Sequence, residues 1–178
     1  MEKKKVMVVI DENEHSYHTL TWVLDNLNEL FTTKSSLIIL ATQPNYNYAS
    51  IAPQFGSAGL SFFSFGSNQE LIKSIQQRTN SIYEGLCEKA KNVCANRGVL
   101  VEAFTEPGEP KEVICNASYE HEIDLLIMPH YCSCPLKRIF LESLSEYCLR
   151  NAKCPVLLVQ KPPKLQSYMD MHTTTKFV

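Results

Sequence analysis

Glycine is scarce in this chain, with only 6 of 178 residues. A large excess of positive or negative charge is also missing. None of the glycines forms the G-x-x-x-x-G-K-[ST] or G-x-G-x-x-G pattern of the common phosphate-binding loops. The 17 basic and 19 acidic side chains leave a formal net charge of -2 at pH 7. A basic face for DNA or RNA is therefore not expected, and the lysines at positions 3–5 are typical of a solvated chain start.

Long hydrophobic runs are also missing. The longest, at residues 6–10 and 37–41, fall far short of the roughly 18 residues that a membrane-spanning helix needs. The first residues lack the apolar segment of a secretory signal and the Arg- and Ser-rich pattern of a transit peptide. These absences predict a protein without a membrane partner, located in the cytoplasm or also in the nucleus.

Cysteine is present in an odd number, seven, without the density of a disulfide-stapled scaffold. We expect these residues to remain thiols. One metal-like spacing occurs, at His130, Cys132 and Cys134. Structural zinc pairs are usually separated by about two to four residues and need a second pair elsewhere, so this spacing predicts no metal site.

Short aliphatic runs alternate with amphipathic segments along the chain. Strands are expected at residues 6–10, 37–42, 99–105, 124–128 and 155–159, the fourth ending at Pro129. Helices are expected after the first strand, at residues 70–96, from Pro110 onward and at residues 136–151. This alternation predicts an α/β fold, a doubly wound five-stranded parallel sheet with helices on both faces.

The length corresponds to one domain, at about 100–200 residues per domain. We expect it to cover residues 1–161 and to be followed by a disordered polar tail at residues 162–178. Residues 44–68 form a connection longer than the roughly 12–15 residues usual in a compact domain. Six aromatic rings lie in it, at Tyr46, Tyr48, Phe55, Phe62, Phe63 and Phe65. Such rings are expected to cover a cleft or a partner subunit.

Three segments carry a resemblance to a known family. They are Val8-Val9-Ile10-Asp11-Glu12 with His15-Ser16, the run from Gly108-Glu109-Pro110 to Cys115, and the run from Lys137-Arg138 through Ser143-Leu144-Ser145 to Cys154-Pro155-Val156-Leu157. Together they resemble the universal stress protein family, in its single-domain plant form, over most of the chain. The resemblance implies a homodimer formed through the last strand, at Val156, Leu157, Leu158 and Val159, and in many members an ATP site.

The ATP site of the family uses a loop after the fourth strand, G-x2-G-x9-G-[ST], whose glycines let backbone N–H groups close on phosphate. Alignment on Lys137-Arg138 places Pro129, Cys132 and Glu142 at the three glycine positions. Proline has no N–H to donate, cysteine adds a side chain, and the glutamate brings negative charge near anionic oxygens. We therefore predict a degenerate site that binds ATP poorly, and no bound cofactor.

The resemblance also implies roles for individual residues. Asp11 lies at the position of the adenine contact, beside Glu12, and Thr42 replaces a small apolar residue against the base. Ser143 and Ser145 keep the hydroxyl groups that resemble the phosphate ligands. These five residues are the predicted ligand-binding set.

Titratable side chains gather where the glycines are lost: His130, Tyr131, Cys132 and Glu142. A histidine beside a carboxylate can work as an acid and base couple, and a cysteine near it can be a nucleophile, although drift in a disused site explains the same residues. Two functions remain open. One is a small-molecule or nucleotide-binding module in stress response or signalling. The other is an enzyme of plant specialised metabolism, an isomerase, cyclase or lyase, acting on a neutral hydrophobic metabolite with Glu142 as acid and His130 as base.

Overall fold

The computed structural model describes residues 4–33, 35–43, 69–130 and 144–162. Within them the chain forms, in order, β1 (Lys4–Ile10), α1 (Glu14–Asn26), α2 (Asn28–Thr33), β2 (Ser35–Gln43), α3 (Gln69–Ala95), β3 (Val101–Pro107), α4 (Pro110–Glu120), β4 (Leu125–His130), α5 (Leu144–Asn151) and β5 (Val156–Gln160). Each of the five predicted strands and four predicted helical segments has a counterpart among the described residues, with differences in some boundaries.

The five strands pair in parallel in the order β3-β2-β1-β4-β5. The chain moves outward from β1 to β3 and then returns past β1 to β4, so the winding direction reverses between β1 and β4. The predicted doubly wound α/β fold is confirmed. Ligands of such sheets bind beyond the carboxyl ends of the strands at this switch point.

The sheet is buried on both faces, which explains the unbroken aliphatic run of β1. Val6, Val8 and Ile10 pack with residues of α1 and α3, whereas Met7 and Val9 pack with residues of α4 and α5. Each of these five side chains is at most 4% exposed. None of the helices formed by the described residues combines the length and hydropathy that a bilayer crossing requires.

The amino ends of β1 and β4 are joined by reciprocal hydrogen bonds. The backbone N–H of Lys5 donates to Oδ2 of Asp124 at 2.8 Å, and the N–H of Asp124 donates to the carbonyl oxygen of Lys5 at 2.8 Å. Lys4 Nζ lies 3.5 Å from Oδ1 of Asp124, and Lys5 Nζ lies 3.5 Å from Oε2 of Glu122. Because its carboxylate accepts the Lys5 N–H, the pKa of Asp124 is lowered below 3.8.

The prediction that the fourth strand ends at Pro129 is wrong. β4 continues through Pro129 to His130, which pair with Val159 and Gln160 of β5. Pairing between β1 and β4 reaches only Ile127, so the N–H that Pro129 lacks is not needed for that ladder.

Several other boundaries differ by small amounts. β3 begins at Val101 rather than residue 99, and the helical pattern after β1 divides into α1 and α2. The connection at residues 44–68, the first part of the last predicted helix at 136–143 and the tail from residue 163 lie outside the described residues.

Gly108, which follows β3 at the carboxyl edge of the sheet, has a backbone conformation that other residues rarely adopt. Its φ is +156°, and a Cβ at this position would lie 2.6 Å from Cγ2 of the buried Val113. Its N–H donates to the carbonyl oxygen of Gln43 at 3.1 Å, which joins the end of β3 to the end of β2. Two residues later Pro110 begins α4, as the sequence predicts.

Candidate ligand site at the switch point

A small recess lies where the carboxyl ends of β1, β2 and β4 meet the first turns of α1 and α5. Its described walls are Val9, Ile10, Asp11, Ser16, Thr42, Met128, Pro129, Leu144 and Ser145. The recess measures about 30 Å³, which is room for one or two water molecules. Three predicted ligand residues, Asp11, Thr42 and Ser145, are therefore brought together by the fold.

Asp11 begins a compact turn that leads into α1. The hydroxyl of Ser16 donates to Oδ1 of Asp11 at 2.5 Å and accepts the N–H of Asp11 at 3.0 Å. Asn13 donates its backbone N–H to Oδ1 and its side-chain Nδ2 to Oδ2, each at 2.9 Å. Since Ser16 is only 1% exposed, these bonds hold the carboxylate in a defined orientation at the wall of the recess.

Sequence reasoning did not assign ligand-site roles to Ser16 and Asn13. A local signal was available, because an aspartate followed two residues later by asparagine at a helix start is typical of side-chain-to-backbone turns. Asn13 is the N-cap of α1, but its side chain bonds to Asp11 instead of capping the helix. The turn therefore uses the cap residue to orient a carboxylate.

The end of β2 supplies Thr42 as a second polar side chain of the recess, and the next residue, Gln43, lies outside the described lining. Thr42 is 7% exposed and the following Gln43 is 5% exposed. Within the described part of the chain, Oε1 of Gln43 has no hydrogen-bond partner. A buried amide oxygen without a hydrogen-bond donor lowers the stability of the fold, so a ligand that donated a hydrogen bond to Gln43 would remove this cost.

The β4 and α5 side differs in character from the β1 side. Pro129, which occupies the first predicted glycine position, is buried and lines the recess without an N–H to offer. Ser145, in the first turn of α5, is 5% exposed and faces the same space. This side therefore presents a hydroxyl and a proline ring at the positions for which the sequence resemblance implies phosphate-binding groups.

The remaining predicted site residues are placed differently. His130 ends β4 and is half-buried, and it does not belong to the described lining of the recess. Glu12 is exposed and lines a groove beside α1. Tyr131, Cys132, Glu142 and Ser143 lie outside the described residues.

The described cysteines are free thiols in packed surroundings. Burial raises the pKa of Cys94 to about 11 and that of Cys148 to about 12. Both are therefore protonated at neutral pH, which is typical of core thiols rather than nucleophiles. Across the described ranges, no three histidine, cysteine, aspartate or glutamate side chains converge in a way that could hold a metal ion.

The sequence model that describes the universal stress protein family matches residues 3–160. This chain belongs to the universal stress protein family. A universal stress protein A-like protein of Arabidopsis thaliana is 26% identical over 95 residues, covering 53% of this chain and 54% of that protein. The chain spans about half the length of the curated relatives it matches.

Structural comparison agrees with this membership. Universal stress protein MJ0577 of Methanocaldococcus jannaschii is 30% identical over 98 residues, 51% of this chain and 60% of that protein. A solved structure of MJ0577 superimposes with a TM-score of 0.66 over 92% of this chain and 100% of that chain, at 20% identity. A universal stress protein family structure from Arabidopsis thaliana with AMP bound has a TM-score of 0.60 at 20% identity, over 92% of this chain and 98% of that chain. At this identity the likeness shows the universal stress protein fold.

Proposed function

We propose that this universal stress protein is a binding module for a small molecule of the adenosine or AMP class, with a phosphate site too degenerate to favour ATP. The proposal rests on one observation: Pro129, which has no N–H to donate, is buried at the β4 wall of the recess that Asp11, Thr42 and Ser145 also line. The base end of the site is retained, and the phosphate end is altered.

The retained end rests on the turn at Asp11. Its carboxylate is oriented by Ser16 and Asn13, and a carboxylate oxygen accepts hydrogen bonds from an amine such as the exocyclic group of adenine. Thr42 lies on the neighbouring strand at the same edge. A related structure is solved with AMP bound, which supports this ligand class.

The altered end lacks what phosphates need. A proline at the first glycine position removes one backbone donor, and Cys132 and Glu142 replace the other two glycines in the sequence. Ser145 leaves one hydroxyl at the recess. One phosphate group therefore has Ser145 as a partner, with Ser143 close to it in the sequence, whereas a second and third phosphate gain no glycine N–H and the sequence adds the carboxylate of Glu142.

The small size of the recess lowers the affinity expected for any ligand. At about 30 Å³ it is smaller than an adenine ring, so binding requires the walls to part. The energy of parting them reduces affinity for every ligand by the same factor. We expect weak binding with little discrimination by phosphate number.

Calorimetry with adenosine, AMP and ATP tests this proposal. The three dissociation constants should agree within about threefold, because the first phosphate gains only serine hydroxyl contacts and the others gain no backbone donor. Ser145→Ala should weaken AMP more than adenosine. Ser118→Ala removes a comparably buried serine hydroxyl from α4, away from the recess, and serves as the control. Low-micromolar ATP binding at least tenfold tighter than adenosine contradicts the proposal.

A homodimer through β5 is the second part of the proposal. β5 is an edge strand, and three of its apolar residues, Val156, Leu157 and Leu158, remain only partly buried in the single chain. An unpaired apolar edge favours pairing with its twin across a two-fold axis. Light scattering at micromolar concentration should give twice the chain mass of 20.2 kDa. A mass equal to one chain contradicts the dimer.

Acid and base catalysis is a second candidate function, favoured by the state of His130. Its ring Nδ1 is buried and has no hydrogen-bond partner among the described residues, so this nitrogen keeps an unused capacity to hold a proton once the site opens to a ligand. In this function Glu142 acts as the acid. Turnover of a neutral hydrophobic metabolite, followed by mass spectrometry, should fall by about two to four decades in His130→Ala. Unchanged turnover in that variant excludes the role.

A further inference from the structure

A larger concavity than the recess lies between the first half of α1 and residues 86–93 of α3. This groove measures about 490 Å³, within the range of roughly 300–1,000 Å³ that small-molecule sites occupy. The carboxyl-terminal ends of the two helices are bridged by an ion pair between Arg97 and Asp25. The groove lies against the amino-terminal half of α1, next to Asp11, and against the last third of α3, and it shares Ile10, Asp11 and Ser16 with the recess.

The floor of the groove is apolar. It is formed by Ile10, Leu20, Leu86, Ala90 and Val93. At its rim the ring of Tyr17 is 62% exposed. An exposed aromatic ring beside an apolar floor offers a face on which a flat ligand or a cation can rest.

The rim of the groove is negatively charged. Asp11, Glu12 and Glu14 line it from the α1 side, and Lys89 lines it from α3. Lys161 Nζ lies 2.7 Å from Oε2 of Glu14, so one negative charge remains in excess when this lysine is included. Glu12 is exposed and lies at the groove, where it can meet a ligand directly. This charge distribution complements a cation better than an anion.

We infer that the groove between α1 and α3 binds a small amphiphilic amine. The apolar body of the ligand rests on the floor around Ala90, and its protonated nitrogen lies at the acidic rim near Glu12 and the ring of Tyr17. The side-chain amides of Asn13 and Asn92, which also line the groove, can accept the remaining N–H groups. This site shares Ile10, Asp11 and Ser16 with the adenosine-class site, but its apolar floor and its ligand class are different.

The test uses the full chain and three probes that share one body: naphthalene bearing an aminomethyl, a hydroxymethyl or a carboxylate group. Each is titrated into isotope-labelled protein, and the amide shifts are followed by nuclear magnetic resonance. The amine should bind saturably with a dissociation constant of about 1 mM or tighter, as expected for a ligand of this size. The largest shifts should lie at Tyr17, Ala90 and Val93. The alcohol should bind about two- to fivefold more weakly, and the carboxylate more weakly still.

Two variants and a control locate the interaction. Glu12→Gln should weaken the amine about two- to fivefold and leave the alcohol unchanged, because only the charge is removed. Ala90→Leu should abolish binding of all three probes by filling the floor. Glu84→Gln removes a charge from the same helix outside the groove lining and should change nothing. If Ala90→Leu does not fold, the shift map of the natural chain and Glu12→Gln decide the question.

Three results overturn the inference. They are equal binding of the carboxylate and the amine, shifts centred away from the groove, and absence of saturable binding by any probe. The last result means that the groove is filled by another part of the chain or by another protein. Amine binding without adenosine binding leaves this inference standing while the proposed adenosine-class function fails, and the reverse result separates them equally well.

Discussion

The two ends of the β1 and β4 strand pair contrast sharply, although the strands between them share one parallel ladder. At the amino ends, Lys5 and Asp124 exchange hydrogen bonds. Lys4 forms an ion pair with Asp124, and Lys5 forms one with Glu122. At the carboxyl ends the ladder stops at Ile127, and the chains leave the sheet around a recess. Polar groups join the strands at the first end and face a shared space at the second.

This contrast shows how one strand pair serves stability and binding. At the amino ends, the charged groups pair with each other across the two strands and so stabilise the strand pair. At the carboxyl ends of parallel strands, the connections turn away in opposite directions at the switch point, and the space between them admits side chains from β1, β2, β4 and α5. Substitutions at the amino ends should therefore change stability, and substitutions at the carboxyl ends should also change ligand affinity.

Restoring the glycines at the β4 side should have the largest effect. Replacing Pro129, Cys132 and Glu142 together by glycine returns one backbone donor, two points of close approach and removes one repelling charge. ATP affinity should rise by about a hundredfold, equivalent to about 2.7 kcal/mol. Calorimetry on the natural and the triple-glycine chains checks this. Equal ATP affinities would show that the phosphate end was not what limited binding.

Removing the carboxylate at the β1 side should mainly lower stability. Asp11→Ala leaves the buried hydroxyl of Ser16 and the N–H of Asn13 without their acceptor, so the free energy of unfolding should fall by about 1–3 kcal/mol. Urea unfolding measures the change. Asp25→Ala, which breaks the exposed ion pair with Arg97 at the opposite end of α1, is the matched control and should cost less than about 1 kcal/mol. Equal losses in the two variants would contradict the assigned role of the Asp11 turn.

Asp124 at the amino ends should give the smallest effect, with a defined dependence on pH. Its folded-state pKa is lowered by the Lys5 N–H, with smaller contributions from Lys4 and Lys5 charge. Its stabilising contribution is thus complete above the unfolded pKa of about 3.8, declines as pH falls below that value and is lost below the folded-state pKa. Unfolding midpoints of Asp124→Asn and the natural chain should differ slightly at pH 7 and converge in acid. A gap that widens in acid would reverse this sign and contradict the assignment.

The sequence was sufficient to predict which residues at the strand ends lie together in the candidate site. Asp11 and Thr42 each follow or end an aliphatic run, and Ser145 lies near the start of the helix after β4, so a parallel sheet places all three at one edge. Sequence reasoning missed the Ser16 and Asn13 bonds to Asp11, because their geometry depends on how the turn closes. It also ended β4 too early, since proline was weighed without knowing which strand lay on each side.

The sequence by itself determined the alternation of strands and helices, the burial of β1 on both faces and the absence of a backbone N–H at Pro129. These follow from local chemistry, because apolar periodicity and the missing proline N–H act at the residue where they occur. Only the tertiary structure decided that Pro129 lies within β4 beside Ser145, that Asp11 is held by Ser16, and that α1 and α3 enclose a groove. Those features depend on distances between segments far apart in the chain, which are set when the two faces of the sheet pack together and not by any residue alone.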